Sequence, residues 1–287
     1  MVSINGIRGY MSIKSLFLTG FLLVSQTTFC GTVADQVQFD ECCSLMCKSD
    51  ENSVMQHIKN MSADALNMRN LYGRTFLHVA VFNATVDTVK LLLSKMSQGS
   101  IDARDVWSET VLHCAVSINH SELVSLLLSK MSQEAIDARD NVGNTVLHKA
   151  FRLRGVDVIK LLLLKMSQEA IDARDKDGWT VLDRAAYNGD IEIVELLFSY
   201  MSQESINGKN NYGFTVLHHA SSIDDVKVIE LLLSKMSLDT INVRNDYGYT
   251  ALAWGAGRWT KEIVNVIRAA RQKKTKNIFK KWFYKWY

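Results

Sequence analysis

Thr145-Val146-Leu147-His148 decides the fold of this chain, because the phrase returns. Thr110-Val111-Leu112-His113 stands 35 residues before it, and Thr215-Val216-Leu217-His218 stands two such periods after it. The variants Thr75-Phe76-Leu77-His78, Thr180-Val181-Leu182-Asp183 and Thr250-Ala251-Leu252-Ala253 complete the series without a slip. Two residues before the Thr stands Gly73, Gly143, Gly178, Gly213 or Gly248, with Ser108 in that place in the second unit. Residues 130–140 and 165–175 are the same string, Lys-Met-Ser-Gln-Glu-Ala-Ile-Asp-Ala-Arg-Asp. A fixed period of this kind marks a tandem array of small supersecondary units.

Each part of the period has a physical reading. The Gly suits a turn position with positive φ. The Thr hydroxyl then caps a helix by accepting an orphan backbone N–H. Leu112 and Ala115, three apart, fall on the inner side of that short helix. The column Ala80, Ala115, Ala150, Ala185 and Ala220 lets neighbouring helices approach closely. A second helix follows, clearest at Ile191-Glu192-Ile193-Val194-Glu195-Leu196-Leu197, with its buried face in the Leu columns at 91–93, 126–128, 161–163 and 231–233. Each fully buried Leu contributes about 1.5–3 kcal/mol. One unit has too little surface to bury both faces alone, so the units must stack.

Composition sets the bounds. Hydrophobic residues make up 47% and charged residues 22% of the 287, the profile of a folded chain. Proline is absent, which leaves helices as the building material. The net charge is +3, yet residues 268–287 carry eight Lys or Arg and no acid, so a body of net −5 bears a basic tail. Residues 15–24 form a short apolar run preceded by Arg8 and Lys14 and followed by polar residues. This is the pattern of an export signal, ahead of an uncleaved anchor or an incidental apolar terminus. The five cysteines (Cys30, Cys42, Cys43, Cys47 and Cys114) match no zinc spacing, and burial as small apolar residues is expected, ahead of a redox pair or metal site at Cys43 and Cys47.

The repeated Thr, Leu, His and Ala resemble the ankyrin repeat, whose signature is Thr-Pro-Leu-His followed by Ala at a period of about 33. The resemblance covers residues 67–268. Val or Phe replaces the Pro, which loses a preset helical φ. The period is longer by the residues around Met131-Ser132-Gln133-Glu134-Ala135, where an added helical turn with Ser as its cap is expected. The resemblance implies an all-α ankyrin-repeat solenoid of helix-turn-helix units with turn fingers. Residues 1–30 are then the signal and 31–66 a degenerate N-terminal capping unit. Units follow at 67–101, 102–136, 137–171, 172–206, 207–241 and, at the C-terminal end, 242–270, with a tail at 271–287. It also implies a scaffold that binds a protein partner along its concave edge. An export signal on such repeats is similar to secreted ankyrin proteins of host-associated bacteria, the rickettsial group among them. The expected protein is exported, periplasmic or secreted or delivered to a host cell, with a host protein as partner.

The site residues expected on these grounds fall into three groups. His78, His113, His148 and His218 form a column that, by the resemblance, ties each turn to neighbouring backbone; Asp183 and Ala253 break it and are expected to tether more weakly. His120 and His219 are expected to be exposed and without a role. Tyr72, Trp107, Trp179, Tyr212, Phe214, Tyr247 and Tyr249 stand beside the turn Gly, and such rings are enriched where partners bind. They are expected to contact the partner, the other reading being that the rings pack tip against tip. In the tail, Lys280, Lys281, Trp282, Phe283 and Trp286 mix bases and aromatics. A cap over the last unit, an anionic membrane surface and, last, single-stranded nucleic acid are the three readings of that composition. The repeated Asp102-Arg104-Asp105, Asp137-Arg139-Asp140 and Asp172-Arg174-Asp175 form either a charge ladder or, as weak exposed pairs favour, a solvated face. No nucleophile–base set, phosphate loop or zinc spacing stands out, so no catalytic residue, cofactor or metal is expected.

Overall fold

A computed structural model describes residues 33–48, 51–221, 225–255 and 261–286. The export signal expected at 1–30 lies outside the described residues.

Each period before the last folds into a finger and three helices. In the third unit, the first helix is Val146–Arg152, the second Val156–Leu163 and the third the four residues Gln168–Ile171. The fingers hold Gly73, Gly143, Gly178, Gly213 and Gly248 at φ between 72° and 82°, and Ser108 takes the same conformation at 61°. Among the described residues the only strand-like pairing is isolated bridges within fingers, such as Arg139 with Thr145.

A second column of the period, not recognised from the sequence as one set, closes each finger. Asn70, Asp105, Asp140, Asp175, Asn210 and Asn245 each accept two backbone N–H bonds across the turn through one side-chain oxygen. Asp105 takes Trp107 N at 2.9 Å and Glu109 N at 3.0 Å. Asp175 takes Asp177 N at 3.0 Å and Trp179 N at 2.9 Å. This is an Asx turn, a side-chain oxygen standing in for a backbone acceptor. Successive fingers then join edge to edge, Val106 N donating to Tyr72 O at 2.9 Å and Asn141 N to Trp107 O at 3.0 Å.

These contacts correct the solvated-face expectation for the repeated acids. Asp105 and Asp175 are buried. Asp102, Asp137 and Asp172 accept the N–H of Ser132, Ser167 and Ser202 at 3.0–3.1 Å, each reaching into the next unit. The acids act as hydrogen-bond acceptors that fix the turns and the stacking, which exposed ion pairs would do only weakly.

The added residues of the period form the third helix. Ser62, Ser132, Ser167, Ser202 and Ser237 cap it through their side-chain oxygens. Ser97 makes no such bond; its hydroxyl donates to Asn67 Oδ1 at 2.8 Å. Gln98, Gln133, Gln168 and Gln203 reach forward from these helices to carbonyls of the next unit at 2.9–3.1 Å.

One continuous core runs through the stack. Leu77, Leu112, Leu147 and Leu217, Ala80, Ala115, Ala185 and Ala220, and Leu92, Leu127, Leu162, Leu197 and Leu232 are all 0% exposed. Cys42, Cys43 and Cys114 are buried in it. Burial pushes the Cys42 and Cys114 thiols up to about 12, so neither is a reactive thiolate. The side chains of Cys30 and Cys47 lie outside the described residues.

The ends are closed by atypical helices. Val33–Lys48, Glu51–Asn60 and Ala63–Leu66 precede the first finger, with Phe39 packed on Phe76 at 4.1 Å between ring centres. Lys261–Trp286 begins in the register of the last unit's second helix, runs on into the tail and buries Ile263 and Ile267. Arg271 donates to Ile241 O at 3.3 Å, and Lys274 donates to Met236 O. The first bases of the tail therefore cover orphan carbonyls of the preceding unit. The side chains of Lys280, Lys281, Trp282, Phe283 and Trp286 lie outside the described residues. Among the described residues no helix is long and apolar enough to cross a membrane.

Candidate functional site

The histidine column is resolved atom by atom. Thr75 N donates to His78 Nδ1 at 3.3 Å, so Nδ1 is the acceptor and the neutral ring carries its proton on Nε2. That N–H faces Glu109 O, in the next finger, at 3.4 Å. His148 reaches Trp179 O at 3.3 Å and His218 reaches Tyr249 O at 3.0 Å in the same way. Burial holds the His78 and His148 imidazoles down at about 4 and His113 at about 3. His113 keeps its local bond from Thr110 N, and its Nε2 faces the Asn144 backbone of the next finger without the close geometry of the other three.

Asp183 separates the column's two tasks. It accepts from Thr180 N and from the Thr180 hydroxyl, both at 2.9 Å, while its own N–H returns to that hydroxyl at 3.1 Å. The local cap is therefore complete, and only the reach to the following finger is missing. Arg174 stands 3.6 Å away. Burial raises the carboxyl to about 6, against the hydrogen bonds from Thr180 and the charge of Arg174.

Two other positions of the period bring the remaining side chains onto one face. The residue before the Thr is Arg74, Glu109, Asn144, Trp179, Phe214 or Tyr249; the residue four after it is Val79, Cys114, Lys149, Arg184, His219 or Trp254. The two columns touch. Lys149 of one column pairs with Glu109 of the other, while Arg184 and Arg74 pair with the Asx-turn acids Asp175 and Asp105. Trp179 lies 3.8 Å from the His219 ring, and Phe214 lies 5.0 Å from Trp254. Down the stack, this face changes from charged to aromatic.

The seven aromatics expected at the tips divide into two groups. Tyr72 stacks on Trp107 at 5.8 Å, with the Arg74 guanidinium 5.0 Å from the Trp107 ring centre. Trp179 and Phe214 are half-buried within a ring cluster that continues through Tyr247, Trp254 and Tyr249. Tyr72, Trp107, Tyr212, Tyr247 and Tyr249 remain exposed.

His219 is not the exposed side chain expected. It is buried, lies between Trp179 and Phe214 and contacts Asn210 Nδ2 at 3.3 Å. Burial and the neighbouring His218 hold it down at about 3. His120 also has a structural task, since its Nδ1 accepts Leu123 N at 3.3 Å and caps the second helix of its unit. Tyr187, Trp254 and the arginines Arg152, Arg154 and Arg184 belong to this face and were not singled out in the sequence. Reading the variable columns of the period beside the constant ones carries that signal.

The face holds an open cavity of about 500 Å³, lined by Phe151, Arg152, Arg154, Trp179, Arg184, Tyr187 and Asn188. Among the described residues no three His, Cys, Asp or Glu side chains gather to hold a metal ion.

Comparisons with known proteins follow the same period. The model of ankyrin repeats in three copies matches residues 96–175 and 134–207. The single ankyrin repeat model matches residues 72–106 and 212–246. No curated protein matches the sequence significantly. Among solved structures, the chain is similar to the ankyrin repeat domain of Bcl-3, described as a unique member of the IkappaB protein family. The TM-score is 0.67 at 22% identity, over 79% of this chain and 97% of that one. It is also similar to an ankyrin repeat domain from Acinetobacter baumannii AYE, with a TM-score of 0.59 at 24% identity, over 68% of this chain and 96% of that one.

Proposed function

Because this chain belongs to the ankyrin repeat family, we propose that it is a protein-binding scaffold whose partner lies along the face built by the fingers and first helices. One observation carries the proposal. The core columns keep the same residue types from unit to unit, while the two columns on this face carry charged side chains at Arg74, Glu109, Lys149 and Arg184 and contiguous rings from Trp179 to Trp254. Packing demands the first pattern; a varied face on a uniform scaffold suits recognition of one particular partner surface. The exposed rings Tyr72, Trp107, Tyr212, Tyr247 and Tyr249 are the proposed contacts, and Trp179 and Phe214 support them from within the cluster.

We further propose that the protein is exported and that its partner is a host protein. The support is the charged lead and apolar run ending at Val24. A second reading, attachment to an anionic membrane surface, rests on the mixture of bases and aromatics at Lys280, Lys281, Trp282, Phe283 and Trp286, over a backbone that is helical to Trp286.

Affinity capture from a host-cell lysate, comparing the natural protein with a W107A/Y212A/Y247A variant, tests the binding face. These rings are exposed, so the variant is expected to melt within a few degrees of the natural protein and to lose the captured partner. Unchanged capture would refute the proposal. Flotation of the full chain with phosphatidylserine vesicles at low salt, with and without residues 277–287, tests the second reading, which requires binding that disappears with the truncation.

A further inference from the structure

The cavity of the finger face is basic. It lies between two successive units: Phe151 and Arg152 end one first helix, Arg154 occupies the turn after it, Trp179 comes from the next finger, and Arg184, Tyr187 and Asn188 from the next first helix. Three of its seven lining residues are arginines and none is an acid. The arginines are local to this junction. In the register of Arg152 the other units carry Phe82, Ser117, Tyr187, Ser222 and Gly257, and in that of Arg154 they carry Ala84, Asn119, Gly189, Asp224 and Trp259.

Two of the guanidinium groups have acidic partners. Arg184 pairs with buried Asp175 and lies 5.5 Å from the Trp179 ring centre. Arg154 Nη2 stands 3.3 Å from Asp190 Oδ1. Arg152 is exposed and has no acidic partner among the described residues. Three guanidinium charges against two carboxylates leave one positive charge at the cavity. The Trp179 and Tyr187 rings, edge to face at 5.7 Å, give it an apolar wall.

Arg154 also bears a backbone cost. Its φ is +54°, in the left-handed region that Asn119 and Gly189 occupy in the same register of the neighbouring units. Asn and Gly take that conformation readily, and Arg does not. Strain of this kind is kept where a side chain is needed for another purpose.

We propose that this cavity receives one carboxylate side chain of the partner protein, with an apolar neighbour of that residue packed on Trp179 and Tyr187. The proposal rests on the protein-binding reading above and names the chemistry of its partner. A single net positive charge matches a carboxylate, whereas a phosphate dianion leaves an excess of negative charge. Guanidinium groups supply paired donors in the plane that a carboxylate requires.

The test uses the full chain and three synthetic peptides, glycine-flanked Glu-Phe-Glu, Gln-Phe-Gln and a phosphotyrosine counterpart, with the Trp179 indole N–H followed by NMR. The acidic peptide is expected to shift that signal saturably in the millimolar range, and the glutamine peptide to leave it in place. R152Q and R154G are each expected to weaken the acidic peptide roughly tenfold, the loss of one charge-assisted pair. R154G puts Gly at the left-handed position and is expected to melt no lower than the natural protein, which separates loss of binding from loss of fold. Equal binding of the glutamine peptide, no binding of the acidic one, or unchanged affinity in both variants would overturn the proposal. Tighter binding of the phosphotyrosine peptide than of the acidic one would overturn the carboxylate assignment. Failure here with capture still lost in W107A/Y212A/Y247A rejects the cavity alone; capture unchanged in that variant rejects the binding face itself.

Discussion

At the scale of single residues, His and Asp at the same position show what the column does. Both complete the cap with Thr, but only His reaches the next finger, through Nε2. Asp183 instead leaves a carboxyl in the core whose ionised form burial disfavours, hence its value of about 6. The sign follows. A carboxyl raised in the folded state gives stability that is present below its ordinary value and is lost as pH rises through about 6. Asp183→Asn keeps an acceptor for Thr180 and removes the charge. It is therefore expected to be more stable than the natural protein at pH 8, with the gain fading as pH falls from about 6 towards the ordinary carboxylate range. Each pH unit of that window is worth on the order of 1.4 kcal/mol. Urea midpoints of both proteins across pH 4.5 to 8 check this; a difference that does not change with pH would show that burial of the charge is not the cause.

At the scale of the element, the finger is a turn fixed by its Asx acceptor and its left-handed residue. The fingers also lie against one another, and a Cβ added at Gly178 would stand 2.6 Å from Asn211 N of the next finger. Gly248 has the same kind of φ, at +82°, yet a Cβ there would meet nothing within 4 Å. Gly248→Ala is therefore expected to cost only the left-handed penalty, about 1–2 kcal/mol. Gly178→Ala carries the same penalty and must also push two fingers apart. Thermal melts of the two variants separate the terms, and equal losses would mean that the close approach carries no energy. The third helix is the other element peculiar to this chain. Its Ser cap and its Gln reach to the next unit explain why a longer period still stacks.

At the scale of the whole molecule, the stack multiplies each feature of the unit. His78, His113, His148, His218 and His219 are all held below their ordinary value, by burial first of all. A depressed imidazole gives stability that is full above about 6.5 and is lost as pH falls through that value towards about 4 or 3. Five such groups outweigh the opposing carboxyl of Asp183. The protein is expected to lose stability steeply between pH 6.5 and 5, with His148→Asn showing a shallower loss than the natural protein. Denaturant titrations at those pH values check it. A flat profile would mean that the rings stay hydrated or become protonated in the folded state.

The sequence alone determined the scaffold: unit length, helices, Gly turn, the third helix and the buried columns. It placed the Thr at the helix start, but the expected hydroxyl cap forms only at Thr180 and Thr250; at Thr75, Thr110, Thr145 and Thr215 the hydroxyl turns to the His Nδ1. Each depends on local chemistry repeated at a fixed spacing, and repetition is visible in a string of letters. The finger face was legible only in part. Tyr72, Trp107, Tyr212, Tyr247 and Tyr249 stand beside the turn and are exposed. The burial of His219, the pairing of Arg184 with Asp175 and the gathering of Arg152, Arg154 and Arg184 were decided by tertiary structure. The physical reason is distance along the chain. A cap acts over three residues, whereas the cavity joins the end of one unit's first helix to the finger and first helix of the next, and only stacking brings those side chains together.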